Sequence, residues 1–309
     1  MALIFYSESD RYDAWRDALH AAVPDLEFRP WEEPGDPADI EFALVWLPPQ
    51  GALRRFPNLK AILNLGAGVD ALLKDPTLPE GVPLVRMVDD DLATCMAEYV
   101  LLHVLRYHRE QPALDAQQRA HDWRMIASPA AMHRRVGILG LGAMGGEAAR
   151  LLVGAGFDVA GWSRRPKDLP SVQSFHGEDG RAAFLARSEI LVCLLPLTPE
   201  TEGILDRDLF QALPAGAYLI NAGRGGHQVE SDILAALDSG QLAGATLDVF
   251  REEPLPTASP FWDHPKVTVT PHNASITNPQ SAVRHVCESI RRVRAGEPLR
   301  NVVDPDLGY

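Results

Sequence analysis

Cysteine is scarce in this chain. Three in 309 residues, Cys95, Cys193 and Cys287, form an odd and widely spaced set, each in an apolar helix or strand pattern. A disulfide framework is therefore excluded and reduced, buried thiols are expected. No CxxC or HExxH spacing occurs, so no metal site is expected. No apolar run approaches the ~20 residues that a membrane span needs, and the start MALIFYSESDRYD has no basic segment leading into an apolar one. The expectation is a cytoplasmic protein without a membrane partner. Positive charge is also in deficit: 29 Lys and Arg stand against 42 Asp and Glu, a net charge of −13, and residues 1–97 alone hold 17 acidic against 8 basic groups. Nucleic acid is excluded as a partner, since phosphate binding needs the opposite sign spread over a surface. No internal repeat or low-complexity segment is visible.

What is there is alternation. The length suits two domains. ALIFYS, LEFRPW, FALVWL, AILNL and PLVRM are short runs rich in branched and aromatic residues, separated by segments with helical spacing such as Trp15, Leu19, Ala22 and Val23. That is a βαβ pattern with parallel strands. TCMAEYVLLHVLRYHRE, from Thr94, has no Gly or Pro over seventeen residues and predicts a long buried helix, followed by a linker over about 110–134. Six further strands are expected at 136–142, 157–163, 189–196, 217–223, 244–250 and 267–272, in the order of a doubly wound sheet. Val283, Val286, Ile290 and Val293 then step along a last helix, which should return so that the extended tail PLRNVVD packs on the first unit. The expected fold is α/β, with two Rossmann-like or flavodoxin-like domains of parallel sheet and one inserted in the other. Residues 1–97 plus 282–309 would form the outer domain and 98–281 the inserted one.

GILGLGAMGG carries G-x-G-x-x-G at Gly140, Gly142 and Gly145, after a strand and opening a helix. Gly140 permits the tight turn, Gly142 lets backbone approach a pyrophosphate and Gly145 lets helix and strand pack closely, while the helix N-terminus offers free N–H groups to phosphate. Leu141, Ala143 and Met144 complete the turn. At the end of the second strand, where a carboxylate would bind the ribose 2′-hydroxyl of NAD, stands Ser163, followed by Arg164, Arg165 and Lys167. A planar guanidinium suits a 2′-phosphate, so NADP(H) is expected over NAD(H).

Arg224 follows AYLINAG, Glu253 follows GATLDVF and His272 ends VTVTPH. In open α/β sheets, ligands bind beyond the carboxyl ends of the strands, so all three should face the crevice that holds the nicotinamide. Reducing a 2-oxo acid needs a cation for the carboxylate, a proton donor for the carbonyl oxygen and orientation toward the hydride. Arg224 can serve as the first and His272 as the second, since histidine titrates near neutrality. Glu253, bonded to the other ring nitrogen, would favour imidazolium and fix the ring.

These motifs, with LLPLTPETEGIL at 194–205, INAGRGGHQVESDILAALDSGQLAGATLDVFREEPLP at 220–256 and TPHNASIT at 270–277, resemble the D-isomer-specific 2-hydroxyacid dehydrogenases. The resemblance implies a split substrate domain, an NADP-binding domain and a homodimer built on the latter. FYS, ALVWLPP, LGAGVDALL, WSRRPK, VQSF and the final GY most resemble the glyoxylate/hydroxypyruvate reductase A branch. By that likeness the loop Leu65–Val69 binds the substrate carboxylate through N–H groups of Ala67, Gly68 and Val69, and Trp46 walls the pocket. Leu195, Pro196 and Thr201 match the nucleotide-side loop, with Ala222 and Gly223 beside Arg224, and Asp248 matches the acceptor for the nicotinamide amide. The bulk of Trp46 favours a small 2-oxo acid, glyoxylate or hydroxypyruvate; a larger one such as phenylpyruvate is the alternative. Asn273 stands where the family usually has an aliphatic residue.

Two other readings compete. GLGAMGGEAARLLVGAGFDVAGWSRRPK also resembles the 3-hydroxyacid dehydrogenases and imine reductases, but those place the motif at the N-terminus and follow it with helices. A nucleotide-sensing regulator on the same scaffold would need no Arg–Glu–His set.

Overall fold

The computed structural model describes residues 2–305 and 307–308; the last residue of the GY motif, Tyr309, lies outside the described residues. Two compact units emerge, one running up to Leu92 and resuming at Ile276, the other spanning Ala93–Ser275. The sequence puts the divisions at 97/98 and 281/282, which fall inside continuous helices. Helical periodicity does not show where along a helix the packing partners change.

In the first unit the order is β1 (Ala2–Tyr6), α1 (Tyr12–Ala22), β2 (Glu27–Pro30), β3 (Ile40–Val45), β4 (Ala61–Asn64), α2 (Asp70–Leu73) and β5 (Leu84–Val85). The strands pair in the order β2-β1-β3-β4-β5, all parallel. This is the flavodoxin-like arrangement. Every residue of β4 is buried and β3 is buried at all but one position, as expected where both faces of a parallel sheet are covered.

The second unit opens with α3 (Asp90–His108), whose first turn contains the division after Leu92, and α4 (Gln111–Ala120). Thus the stretch expected to be a linker holds a ten-residue helix. Its composition, QPALDAQQRA, is polar enough to hide the periodicity, and Gln111-Pro112 supplies a first-turn proline. There follow β6 (Arg135–Leu139), α5 (Ala143–Gly154), β7 (Asp158–Ser163), β8 (Val172–His176), α6 (Gly177–Arg187), β9 (Ile190–Cys193), α7 (Arg207–Ala212), β10 (Ala217–Asn221), α8 (Glu230–Ser239), β11 (Leu242–Leu247) and β12 (Val267–Val269). Their order is β12-β11-β10-β9-β6-β7-β8, all parallel, the doubly wound Rossmann sequence with its reversal between β6 and β9. β8 was not among the expected strands: it lies at the sheet edge and three of the five residues of VQSFH are polar. β12 is shorter than expected, because the chain leaves the ladder at Thr270.

Finally α9 (Pro279–Ala295) returns to the first unit. Asn278 caps it through the Gln280 N–H at 3.0 Å, and Gly296 ends it at φ +68°. Its Val283, Val286 and Ile290 are buried, and it packs on α1, whose inward face is Trp15, Ala18 and Leu19. The tail reaches β5 through an antiparallel bridge from Val302 to Val85.

Helix α3 is tied to the second sheet by a buried contact between the Tyr107 hydroxyl and Thr246 Oγ1 at 2.7 Å, with the Tyr107 ring stacked on Tyr218 at 4.2 Å. Tyr107→Phe keeps the stacking and removes the bond. Its expected cost is about 1 kcal/mol, read as a lowered urea midpoint; an unchanged midpoint would show the bond to be idle.

Candidate active site

The glycine turn has the shape its motif requires. Gly140 sits at φ +98°, and a Cβ on it would approach Leu194 O to 2.8 Å. A Cβ on Gly145 would lie 1.8 Å from Gly140 O, so helix α5 can approach β6 only with glycine there. At Gly142 a Cβ would meet nothing within 4 Å, leaving exposed backbone open to a ligand. Leu141 instead faces the core, its side chain filling the space above Gly161. Ala143 and Met144 begin α5, whose first-turn N–H groups have no helical acceptor. At the end of β7, the Ser163 hydroxyl donates to Arg165 O at 2.7 Å, turning the chain so that Arg164 and Arg165 are exposed. These residues fit a dinucleotide with a 2′-phosphate.

The β9 end carries Leu195, buried, and Pro196, whose carbonyl accepts from the Thr201 hydroxyl at 2.7 Å. Thr201 Oγ1 also accepts the Thr198 N–H at 2.8 Å, so it closes its own loop. After β10, Ala222 N–H continues the ladder to Cys193 O, and the buried Asn221 accepts Gly223 N–H at 3.1 Å while donating to Arg224 O at 3.2 Å. His227, wholly buried, accepts the Arg224 N–H on Nδ1 at 3.1 Å. Its Nε2–H therefore faces Pro196 O at 3.3 Å. Asn221 and His227 thus fix the backbone of Arg224 from both sides. Neither was among the expected site residues; the 3-10 turn Gly225–His227 brings His227 back to the Arg224 amide.

His272 holds a left-handed backbone, φ +52°, uncommon for a residue with a side chain. Asp248, 1% exposed just beyond β11, keeps it there. The Asp248 carbonyl accepts the His272 N–H at 2.8 Å; its Oδ1 accepts from Thr270 Oγ1 at 2.5 Å and Asn273 N–H at 3.0 Å, and its Oδ2 from Ala274 N–H at 3.0 Å. Tyr99 of α3 backs this cluster through its 2.7 Å contact with Thr270, and burial raises its pKa. The neighbouring His103, in ring contact with Tyr99, is pushed by burial down to about 4 and is neutral.

The geometry brings His272 and Glu253 together: Nδ1–H donates to Glu253 Oε2 at 2.7 Å, while Oε1 accepts the Phe250 N–H at 2.8 Å. Burial alone would raise the Glu253 pKa. The bonds from His272 and Phe250 and the charges of His272 and Arg224 outweigh it, and the net shift is downward. Arg224 is therefore within electrostatic reach of the pair. His272 and Glu253 are each about one-third exposed, which leaves Nε2 as the nitrogen available to a substrate.

In the first unit, Trp46 follows β3 and its ring lies over Gly66, where a Cβ would come within 2.5 Å of it. Ala67 and Gly68 are half-buried and Val69 buried. Asn64, at the end of β4, donates to both Gly66 O and Gly68 O at 2.8 Å.

A seven-stranded Rossmann sheet with an Arg–Glu–His set at its carboxyl ends defines a nucleotide-dependent dehydrogenase. Residues 101–274 match the family model described as D-isomer specific 2-hydroxyacid dehydrogenase, NAD binding domain, and the chain belongs to that family. Among curated relatives, glyoxylate/hydroxypyruvate reductase A of Serratia proteamaculans is 46% identical and that of Photorhabdus laumondii 44%, each over the whole of both chains. Among solved structures, a D-isomer specific 2-hydroxyacid dehydrogenase from Xanthobacter autotrophicus Py2, in complex with NADPH and MES, is 48% identical with a TM-score of 0.97, covering 100% of this chain and 99% of that one. The NADPH-dependent glyoxylate/hydroxypyruvate reductase from Sinorhizobium meliloti, in complex with NADP and sulfate, is 42% identical with a TM-score of 0.94 and the same coverage.

A carboxyl whose folded pKa is depressed contributes stability that is complete above its unfolded value, about 4.3 for Glu, and is lost as pH falls through the folded value. Wild type should therefore lose more thermal stability than Glu253→Gln on acidification below about pH 4.3. Parallel stability curves for the two proteins would contradict the assigned contacts.

Proposed function

We propose that this protein reduces a small 2-oxo acid, glyoxylate or hydroxypyruvate, to the 2-hydroxy acid with NADPH. The observation that carries the reading is the 2.7 Å His272–Glu253 bond with Arg224 in electrostatic reach, at the strand ends of a sheet whose glycine turn fits a dinucleotide. NADPH, when bound, supplies the hydride that adds to the carbonyl carbon. His272 gives a proton from Nε2 to the carbonyl oxygen, and Glu253 holds the ring through Nδ1. Arg224 pairs with the substrate carboxylate and polarises the carbonyl, its backbone held by Asn221 and His227. Within the first unit by itself, the N–H groups of Ala67, Gly68 and Val69 suit a carboxylate, and the bulk of Trp46 over their loop suits a small acid.

Toward the nucleotide, Gly140–Gly145 and the start of α5 receive the pyrophosphate, and Ser163, Arg164 and Arg165 the 2′-phosphate. Leu195, Pro196 and Thr201 form the nucleotide-side loop, joined by Ala222 and Gly223. Asp248, besides holding the His272 loop, has one lone pair left, on Oδ2, for the carboxamide. The names of the relatives support both cofactor and substrate.

A homodimer and a cytoplasmic location belong to the same proposal. Leu102, Leu105, Leu114, Trp123, Met125 and Met132 are exposed apolar side chains within one stretch of the second unit, Trp123 fully so, which suits a face covered by a second copy. No disulfide joins the three cysteines, of which Cys193 is buried, Cys287 half-buried and Cys95 exposed, as suits a reducing compartment, and no helix among the described residues is long and apolar enough to cross a membrane. Sedimentation should give twice the chain mass and Trp123→Asp should shift it toward one; a monomeric wild type would refute the dimer.

The decisive assay follows NADPH oxidation with glyoxylate, hydroxypyruvate, pyruvate and phenylpyruvate. Turnover with the first two is expected, falling ~10²–10⁴-fold in kcat for His272→Ala with NADPH affinity kept. Arg164→Ala with Arg165→Ala should lower kcat/KM for NADPH while sparing NADH. Tight NADPH binding with no turnover would point to a regulatory protein instead, and preference for phenylpyruvate would overturn the size argument.

A further inference from the structure

We infer that Asn64 is a positioning residue that aims the carboxylate-binding amides, an inference resting on the function proposed above. In a trans peptide the carbonyl of one residue and the N–H of the next point in opposite directions. A bond that pulls a carbonyl inward therefore turns the following amide outward.

Three carbonyls of the β4–α2 loop are pulled in this way. The Thr277 hydroxyl donates to Leu65 O at 2.7 Å. Gly66 O accepts from Asn64 Nδ2 at 2.8 Å and from the Met87 N–H at 3.0 Å. Gly68 O accepts from Asn64 Nδ2 at 2.8 Å. The amides turned outward are those of Gly66, Ala67 and Val69. Asn64 acts on two of them, Ala67 and Val69, and spends both hydrogens of its side-chain amide in doing so. It is 2% exposed, so its orientation is fixed by its surroundings.

Amides that converge on one side of a loop form an anion-binding concavity. Here they are aimed by a neutral side chain, so the site gains donors for a carboxylate without another buried charge. The Trp46 ring packs over Gly66 in the same loop. An aspartate at 64 would be nearly isosteric, yet it would replace two donors with acceptors facing two carbonyls, and the loop would have to turn.

The test measures kinetics with NADPH and glyoxylate, and calorimetric binding of oxalate, in wild type and in Asn64→Asp. KM for glyoxylate and Kd for oxalate should each rise ~10-fold or more, while kcat and KM for NADPH change less than ~3-fold. A merely structural role would lower the melting temperature and the active fraction without splitting KM from kcat. Asn64→Ser, smaller and still a donor, should give an intermediate shift and keeps the test decisive where the aspartate variant does not fold. Unchanged KM and oxalate affinity in a folded variant overturn the inference. A wild type that turns over no 2-oxo acid would defeat the proposed function instead, and oxalate binding would still report on Asn64.

Discussion

The carboxylate of Asp248 is the constraint on which the catalytic geometry depends. It sits buried just beyond β11 and gathers the Thr270 hydroxyl and the amides of Asn273 and Ala274, while its carbonyl takes the amide of His272. A loop with its central residue at φ +52° is costly on its own. Four bonds to one residue offset that cost and set the imidazole at the strand ends. The Glu253 bond then fixes only the ring's rotation and its tautomer. The buried acceptor is satisfied by three donors from its own chain, so no compensating cation is needed beside it.

A similar economy recurs in each unit. Arg224 is held by the backbone bonds of Asn221 and His227, and its guanidinium donates to Gly223 O at 2.8 Å. The N–H groups of Ala67 and Val69 are aimed by a side chain that contributes no charge. In each case a buried polar residue orients, through its own hydrogen bonds, a group proposed for the chemistry. This is the division of labour expected where reacting groups must be preorganised in a partly water-excluded site.

Much of this was legible in the sequence, for identifiable reasons. The glycines at 140 and 145 announce themselves because backbone conformation at the first and close approach at both admit nothing else, and the buried parallel strands show as unbroken apolar runs. Arg224, Glu253 and His272 stand out because strand ends in such sheets face ligands. The edge strand Val172–His176 and the polar helix Gln111–Ala120 left no such trace, because their side chains are half solvated. Asn64, Asn221 and His227 were invisible for another reason. Their roles consist of hydrogen bonds to backbone atoms, and sequence spacing does not record where a carbonyl points. Asn273, conspicuous as a departure from the family pattern, turns out to engage through its backbone amide, which any residue but proline supplies; nothing in the structure explains its side chain.

The central claim is that His272, poised by Glu253, donates the proton that completes reduction. The most direct measurement is the pH dependence of kcat/KM for glyoxylate reduction in wild type and in His272→Gln. Wild type should show a profile that falls as pH rises and the proton donor is lost, and the variant a weak residual activity without that limb. The same descending limb in both proteins would contradict it.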